Sequence, residues 1–263
     1  MEPPPVTILL YHDVLPAGAP CSADPGHIPA DRLRTQMEAL LNAGFTCLDL
    51  ATAFARITSK KQLQTEPAFA VTFDDGYAGL HAHLPALASF LRPTVFLLTD
   101  HVGQSNMTWN TRSPEVRQHL TLEQIHALDQ AGIDFEFHGT DHHNLLKFDT
   151  DELGTRFERG CEWFRRYLGR SPSFIAYPYG YCSSTVSQVA SRFFAGGFSV
   201  THGDWWGPET RYAINRISVP SYLSGEDLLA VVRAAPSQRW YERERRAPWR
   251  GQRPQQVSTG SST

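Results

Sequence analysis

The chain has 263 residues, 41% hydrophobic and 19% charged, which excludes wholesale disorder and leaves room for one large α/β domain or two small ones. A formal net charge of −3 gives no bulk attraction to nucleic acid or an anionic membrane, so neither is an expected partner. Four scattered cysteines, Cys21, Cys47, Cys161 and Cys182, lack any C-x-x-C spacing and read as reduced thiols rather than a disulfide framework.

From the N-terminus, Met1 is followed by one Glu and three prolines, unlike a signal peptide, and no apolar run approaches the ~20 residues of a transmembrane segment. The expected location is therefore cytoplasmic, or extracytoplasmic if a leader precedes the given N-terminus. Val6–Tyr11 reads as a buried strand, and Ala30–Ala43 as a helix stopped by Gly44. Strands follow at Phe45–Leu48 and Ala68–Phe73, a helix at Tyr77–Leu91 and a strand at Thr94–Leu98. Thr121-Leu-Glu-Gln124 is a capping box that opens a helix running to Gly132. Ile133–Phe137 is then a strand, Thr150–Leu168 a helix, Phe174–Tyr177 a strand, Ser184–Phe194 a helix and Gly197–Thr201 a strand. Ile214–Val219 and a helix from about Ser224 to Ala234 complete the pattern. Strands alternating with helices imply a mostly parallel sheet, and this many strands fit a closed or nearly closed barrel over residues 1–235. From Pro236 to Thr263 the chain carries six Arg against two Glu and little to pack, the composition of a basic, disordered tail.

Three polar clusters follow predicted strands. In Val71-Thr-Phe-Asp-Asp-Gly76, two adjacent carboxylates sit at a strand end, so one can bind a metal while the other stays free as a base; a polar turn with a capping Asp is the alternative. In His138-Gly-Thr-Asp-His142-His143, two imidazoles four apart can face one ion if the segment curves like a helix. His143 competes with His142 for the second place. In Ala176-Tyr-Pro-Tyr-Gly180, a rigid turn can present the Tyr179 side chain and backbone N–H to a cleft, or can be only a turn. The ends of parallel strands share one rim of a barrel, which would bring the clusters together.

Thr72-Phe-Asp-Asp-Gly76 followed by His-x-x-x-His resembles the polysaccharide deacetylase family, the fourth carbohydrate-esterase family. Leu10-Tyr-His-Asp13 and Pro93-Thr-Val-Phe96 are similar to it as well, and the resemblance extends from about Leu9 to Val219. It implies a distorted (β/α)7 barrel and a metal-dependent hydrolase of a linear amide C–N bond, which removes acetyl groups from N-acetylated sugars or glycans. By position it implies Asp74 as general base, Asp75, His138 and His142 as ligands of one divalent metal, and the Tyr179 N–H as an oxyanion donor. Zinc is the first expectation for that ligand set, with cobalt or nickel as alternatives.

The chain also departs from the family pattern. Gly139 stands where Ser or Thr is usual, and Ala176 where an Arg commonly steadies the base; Arg216 is the candidate replacement and a candidate substrate contact. No late Leu-x-His supplies the general acid. His202, in Thr201-His-Gly-Asp-Trp-Trp206, is the first candidate and His12 the second, each with a structural histidine as the alternative. Trp205 and Trp206 could stack on a sugar or pack a core, and Asp204 could bond either neighbour or cap a turn. Two further functions fit the same residues: hydrolysis of a non-sugar amide in a closed pocket, and glycan binding by a relative that has lost catalysis.

Overall fold

The computed structural model describes residues 6–21, 26–59, 66–88, 90–108, 115–200 and 211–234. The expectations for His202, Asp204, Trp205, Trp206 and the tail 236–263 lie outside these residues.

Seven strands form the frame: β1 (Val6–Tyr11), β5 (Ala68–Phe73), β6 (Thr94–Leu97), β7 (Asp134–Phe137), β8 (Phe174–Ala176), β9 (Gly196–Val200) and β10 (Ile214–Ser218). All pair in parallel, in the order β1–β10–β9–β8–β7–β6–β5, and β5 pairs back to β1, which closes the barrel. The short β4 (Thr46–Cys47) pairs with the first two residues of β5, while β6 pairs with its last two. A two-strand pair, β2 (Asp13–Leu15) with β3 (His27–Pro29), stands apart from the barrel sheet. The helices are α1 (Ala30–Asn42), α2 (Leu50–Thr58), α3 (Gly79–Leu87), α4 (Leu122–Gln130), α5 (Thr150–Leu168), α6 (Ser184–Ala190) and α7 (Gly225–Ala234).

Side chains alternate across each strand, and the two parities build two cores. One set, including Leu9, Phe69, Val71, Val95, Phe135, Phe137 and Ile175, packs with α1, α3, α4, α5 and α6 outside the barrel. The other set, including Ile8, Ala70, Phe96, Ala176, Phe198 and Ile214, fills the inside. Because each strand continues its alternation past its last residue, the inward parity brings His12, Asp74 and His138 to the rim where the strands end.

The opposite end is closed by α2, which the chain-order reading did not anticipate. Leu50, Ala53, Phe54 and Ile57 form one face of α2 and join the inner core, and the Asp49 carboxylate caps the helix by accepting from Thr52 N at 2.7 Å. The Phe54 ring lies 4.9 Å from that of Phe174, and a Cβ on Gly196 would come within 2.1 Å of it. Glycine is therefore the residue that lets the plug seat.

Most expected elements match, with shorter ends. Helix α3 starts at Gly79 rather than Tyr77, because Tyr77 forms an antiparallel bridge with His119 and Ala78 N donates to Gln118 O at 2.8 Å. The Thr121 capping box forms as expected, with Gln124 N donating to Thr121 Oγ1 at 3.2 Å and Thr121 N to Gln124 Oε1 at 3.0 Å.

Candidate active site

Strand β5 ends in a tight turn. Asp74 N donates to Tyr11 O at 2.9 Å, continuing the β1–β5 ladder, and Gly76 N donates back to Asp74 O at 2.9 Å. That bond closes a γ-turn centred on Asp75, whose φ is 68°. Positive-φ γ-turns are the rare, strained kind, and such backbone costs of order 1–3 kcal/mol. Only three non-glycine residues have positive φ among the described residues: Asp75, His142 and Tyr179. All three belong to the clusters read from the sequence.

The buried donor atoms converge. His138 Nε2 lies 3.3 Å and His142 Nε2 3.4 Å from Asp75 Oδ1. These ligand atoms all lie within 4.8 Å of one another, the cluster of metal-binding type found among the described residues. His138 approaches Asp74 less closely, at 3.7 Å. The other His138 nitrogen, Nδ1, is 2.8 Å from the Ala176 carbonyl oxygen. A carbonyl only accepts, so Nδ1 carries the proton and the Nε2 lone pair faces Asp75, the usual outer-shell arrangement of a ligating histidine.

The fit to a divalent ion rests on these atoms. Asp75 Oδ1 is buried and has no hydrogen-bond partner, although two imidazole nitrogens lie near it. An ion at about 2.0–2.1 Å from each ligand would set tetrahedral ligands roughly 3.3 Å apart, close to these separations. Burial pushes His142 down to about 4, which favours the neutral imidazole, the form able to bind an ion. The Asp75 carboxyl is held below the ordinary carboxylate range: burial alone would raise it, and His142, His138 and His12 lower it when their rings carry a proton.

The spacing of the histidines alone is compatible with helical curvature and with His143 in place of His142. Instead the segment turns through Gly139, at φ 103°, and His142, at φ 56°. His143 points outward, with its side chain 59% exposed and Nδ1 3.1 Å from Asp141 Oδ1.

Asp74 is gripped from inside the barrel. Arg216 NH1 and NH2 donate to its two carboxylate oxygens at 2.7 and 2.6 Å, in a two-pronged pair. The same guanidinium reaches Thr72 Oγ1 at 3.2 Å and Ser199 O at 3.3 Å, above the Phe96 ring. Burial tends to raise the Asp74 carboxyl, but the Arg216 charge more than offsets this, so Asp74 stays ionised. Arg216 itself is 0% exposed, so the expected substrate contact has no surface to act through. Its partner is the carboxylate.

Tyr179 sits in the turn after β8, 47% exposed, with its ring centroid 4.5 Å from that of His142 in an edge-on contact. Gly180 follows at φ 72°, and a Cβ there would meet Val200 at 2.8 Å. His12 lies beside Asp74 in register, since Tyr11 pairs with Phe73, and its charge influences Asp74, Asp75 and His142. Its Nδ1 is buried without a hydrogen-bond partner.

Several residues around the site were not picked out by sequence reasoning. Asp13 pairs with Arg117 at 3.1 Å, and burial pushes its carboxyl up to about 6. His119 and Tyr77 pack against the Asp75 turn. Asp13 stood inside the Leu10-Tyr-His-Asp13 similarity; the others carry no motif signal.

Comparison with known proteins agrees with this geometry. Residues 61–194 match the family model described as polysaccharide deacetylase. The chain is 24% identical over 227 residues to YxkH of Bacillus subtilis (strain 168), whose name proposes it as a polysaccharide deacetylase; the match covers 85% of this chain and 75% of that protein. In fold it is similar to the Streptococcus pyogenes deacetylase PplD, solved with acetate, at a TM-score of 0.71 and 22% identity over 88% of this chain and 99% of that one. It is also similar to IcaB from Ammonifex degensii, at a TM-score of 0.70 and 20% identity over 89% and 99% of the two chains. A closed parallel barrel with the Asp-Asp and His-x-x-x-His clusters at one rim, matched by the family model over half its length, makes this chain a member of the polysaccharide deacetylase family.

Proposed function

We propose that the protein is a metal-dependent N-deacetylase that hydrolyses the acetamido group of an amino sugar or glycan. The observation that carries this reading is the convergence of Asp75, His138 and His142 next to a separate carboxylate, Asp74, kept ionised by Arg216. Asp75, His138 and His142 would hold one divalent ion, zinc by preference and cobalt or nickel as alternatives. Such an ion polarises a carbonyl and lowers the pKa of water toward ~7.

The chain's own groups supply the rest. Asp74 accepts the proton that water gives up as it adds to the amide carbon, and such base assistance is worth about 10²–10⁴ in rate. Arg216 fixes the carboxylate's orientation from below. The Tyr179 N–H, on its strained turn, donates to the oxygen that gains charge. The leaving nitrogen must gain a proton as the C–N bond breaks, and His12 is the donor this reading selects, because it neighbours Asp74 at the rim.

The reading is tested by acetate release from N-acetylated sugars, monomers through oligomers, with added zinc and a chelator control. The expected result is release that the chelator stops and zinc restores. Stoichiometric metal binding without release from any of these would instead favour a non-sugar amide or a glycan-binding role.

A further inference from the structure

The strained turn at Asp75 is held by a segment that belongs to no strand of the barrel. Residues 117–120, just before α4, zip onto the turn. Leu120 N donates to Gly76 O at 2.8 Å, and Ala78 N to Gln118 O at 2.8 Å. The segment is itself anchored, with His119 N donating to Gln104 O at 2.8 Å and Gly103 N to Leu120 O at 2.9 Å. At its centre the buried His119 places Nδ1 2.9 Å from the carbonyl oxygen of Asp75. The carbonyl can only accept, so His119 donates and its tautomer is fixed with the proton on Nδ1.

The ring has little freedom to leave. It stacks on Tyr77 at 4.8 Å and 23° on one side and on His101 at 5.5 Å and 25° on the other. Tyr77 in turn lies close enough to the Asp75 carboxylate for that negative charge to add to burial in raising its phenol. The ring stack therefore holds Asp75 by its carbonyl, through His119, with Tyr77 packed beside it.

We propose that His119 is a positioning residue for the metal ligand Asp75: its Nδ1–H holds the peptide after Asp75 in the positive-φ turn that aims the carboxylate at His138 and His142. The proposal rests on the reading of Asp75, His138 and His142 as the metal site. Without the donor, the buried carbonyl loses its partner and the turn can relax to negative φ. The Asp75 side chain would then swing away from the two imidazoles. Outer-shell partners of this kind typically change metal affinity by about 10–100-fold.

The test is zinc affinity, by competition with a colorimetric chelator, for the full chain and its His119→Ala and His119→Asn variants, alongside thermal melting of the metal-free proteins. Asn carries its amide nitrogen on Cγ, as His carries Nδ1, so it can restore the donor. The proposal predicts affinity about 10–100-fold weaker for H119A, recovery to within a few-fold for H119N, and similar metal-free melting for the two variants. H119A binding zinc as tightly as the parent, or a well-folded H119N binding as weakly as H119A, overturns it. If H119A is too unstable to purify, H119N is compared with His119→Gln, which moves the amide one bond further out. H119N must then bind more tightly, and equal affinities overturn the proposal. Asp75→Asn separates the two layers: unchanged zinc binding in D75N contradicts the metal-site reading itself, whatever His119 does.

Discussion

The two ends of the barrel are made from the same strands and serve opposite ends. Where the strands begin, α2 drives Phe54 against Phe174, Phe198 and Gly196, and the closure is apolar. Where they finish, His12, Asp74, Asp75, His138 and His142 crowd together, and three residues there hold strained backbone. Between the two lies Arg216, fully buried, with its guanidinium over Phe96 on one side and its donors on Asp74 on the other. Stability and chemistry are thus separable along the barrel axis, with Arg216 as the residue that belongs to both.

His138→Ala should break the rim most severely. It removes a ligand nitrogen that lies 3.3 Å from Asp75 Oδ1, so both metal retention and acetate release should fall to background while the protein still melts cooperatively. Metal content after gel filtration, with melting curves, checks this. Arg216→Ala strikes the residue shared by both ends. Removing one partner of a buried ion pair costs about 3–5 kcal/mol, which urea denaturation would read. Asp74 also has its carboxyl held low by Arg216, so it contributes stability that is present at neutral pH and lost as pH falls through its depressed folded value. Without Arg216 that loss, and the acidic limb of the pH–rate profile, should move to higher pH.

Phe54→Ala tests the other end alone. Emptying a buried ring site costs about 3–5 kcal/mol, yet kcat of the folded enzyme should stay within about two-fold, since 1.4 kcal/mol would already be tenfold. A large loss of kcat in the folded variant would show that the ends are coupled after all.

Glu136 offers a milder probe of the interior. Burial pushes its carboxyl up to about 8 from an ordinary 4.5, with Phe174 N donating to it at 2.7 Å. The folded protein therefore keeps a proton that the unfolded chain releases. The stability this group contributes is whole below 4.5 and is lost as pH rises to about 8. Glu136→Gln should match the parent below that window and melt higher above it, measured on metal-free protein. The smallest effect belongs to His143→Ala. An exposed pair such as His143–Asp141 is worth about 0–1 kcal/mol, and metal affinity should not change.

Much of this was legible in the sequence because barrel strands announce themselves. Val6–Tyr11, Ala68–Phe73 and Thr94–Leu97 are largely apolar on both faces, and the first two are followed directly by the polar His12-Asp13 and Asp74-Asp75 where the rim must be. Helix α2 carries its own signals, an Asp49 cap and a one-sided apolar face, but it follows the two-residue β4 and plugs the barrel rather than covering its outside, so the strand–helix alternation does not mark it. The choice between His142 and His143 could not be read from spacing, because it depends on left-handed backbone at Gly139 and His142. Arg216 stands 142 residues from Asp74, so only closure of the sheet, β10 beside β1 and β1 beside β5, brings the two together. His119 had no motif at all. It acts through a backbone carbonyl, which leaves no pattern of residue types.

The most direct test of the account is one preparation of Asp74→Asn, analysed for bound zinc and for turnover on a substrate that the parent deacetylates. With Asp74 proposed for proton transfer and Asp75 for the metal, D74N should keep about one equivalent of zinc while turnover falls by about 10²–10⁴. Near-normal turnover, or loss of the zinc along with it, would contradict the division of labour between the two adjacent carboxylates.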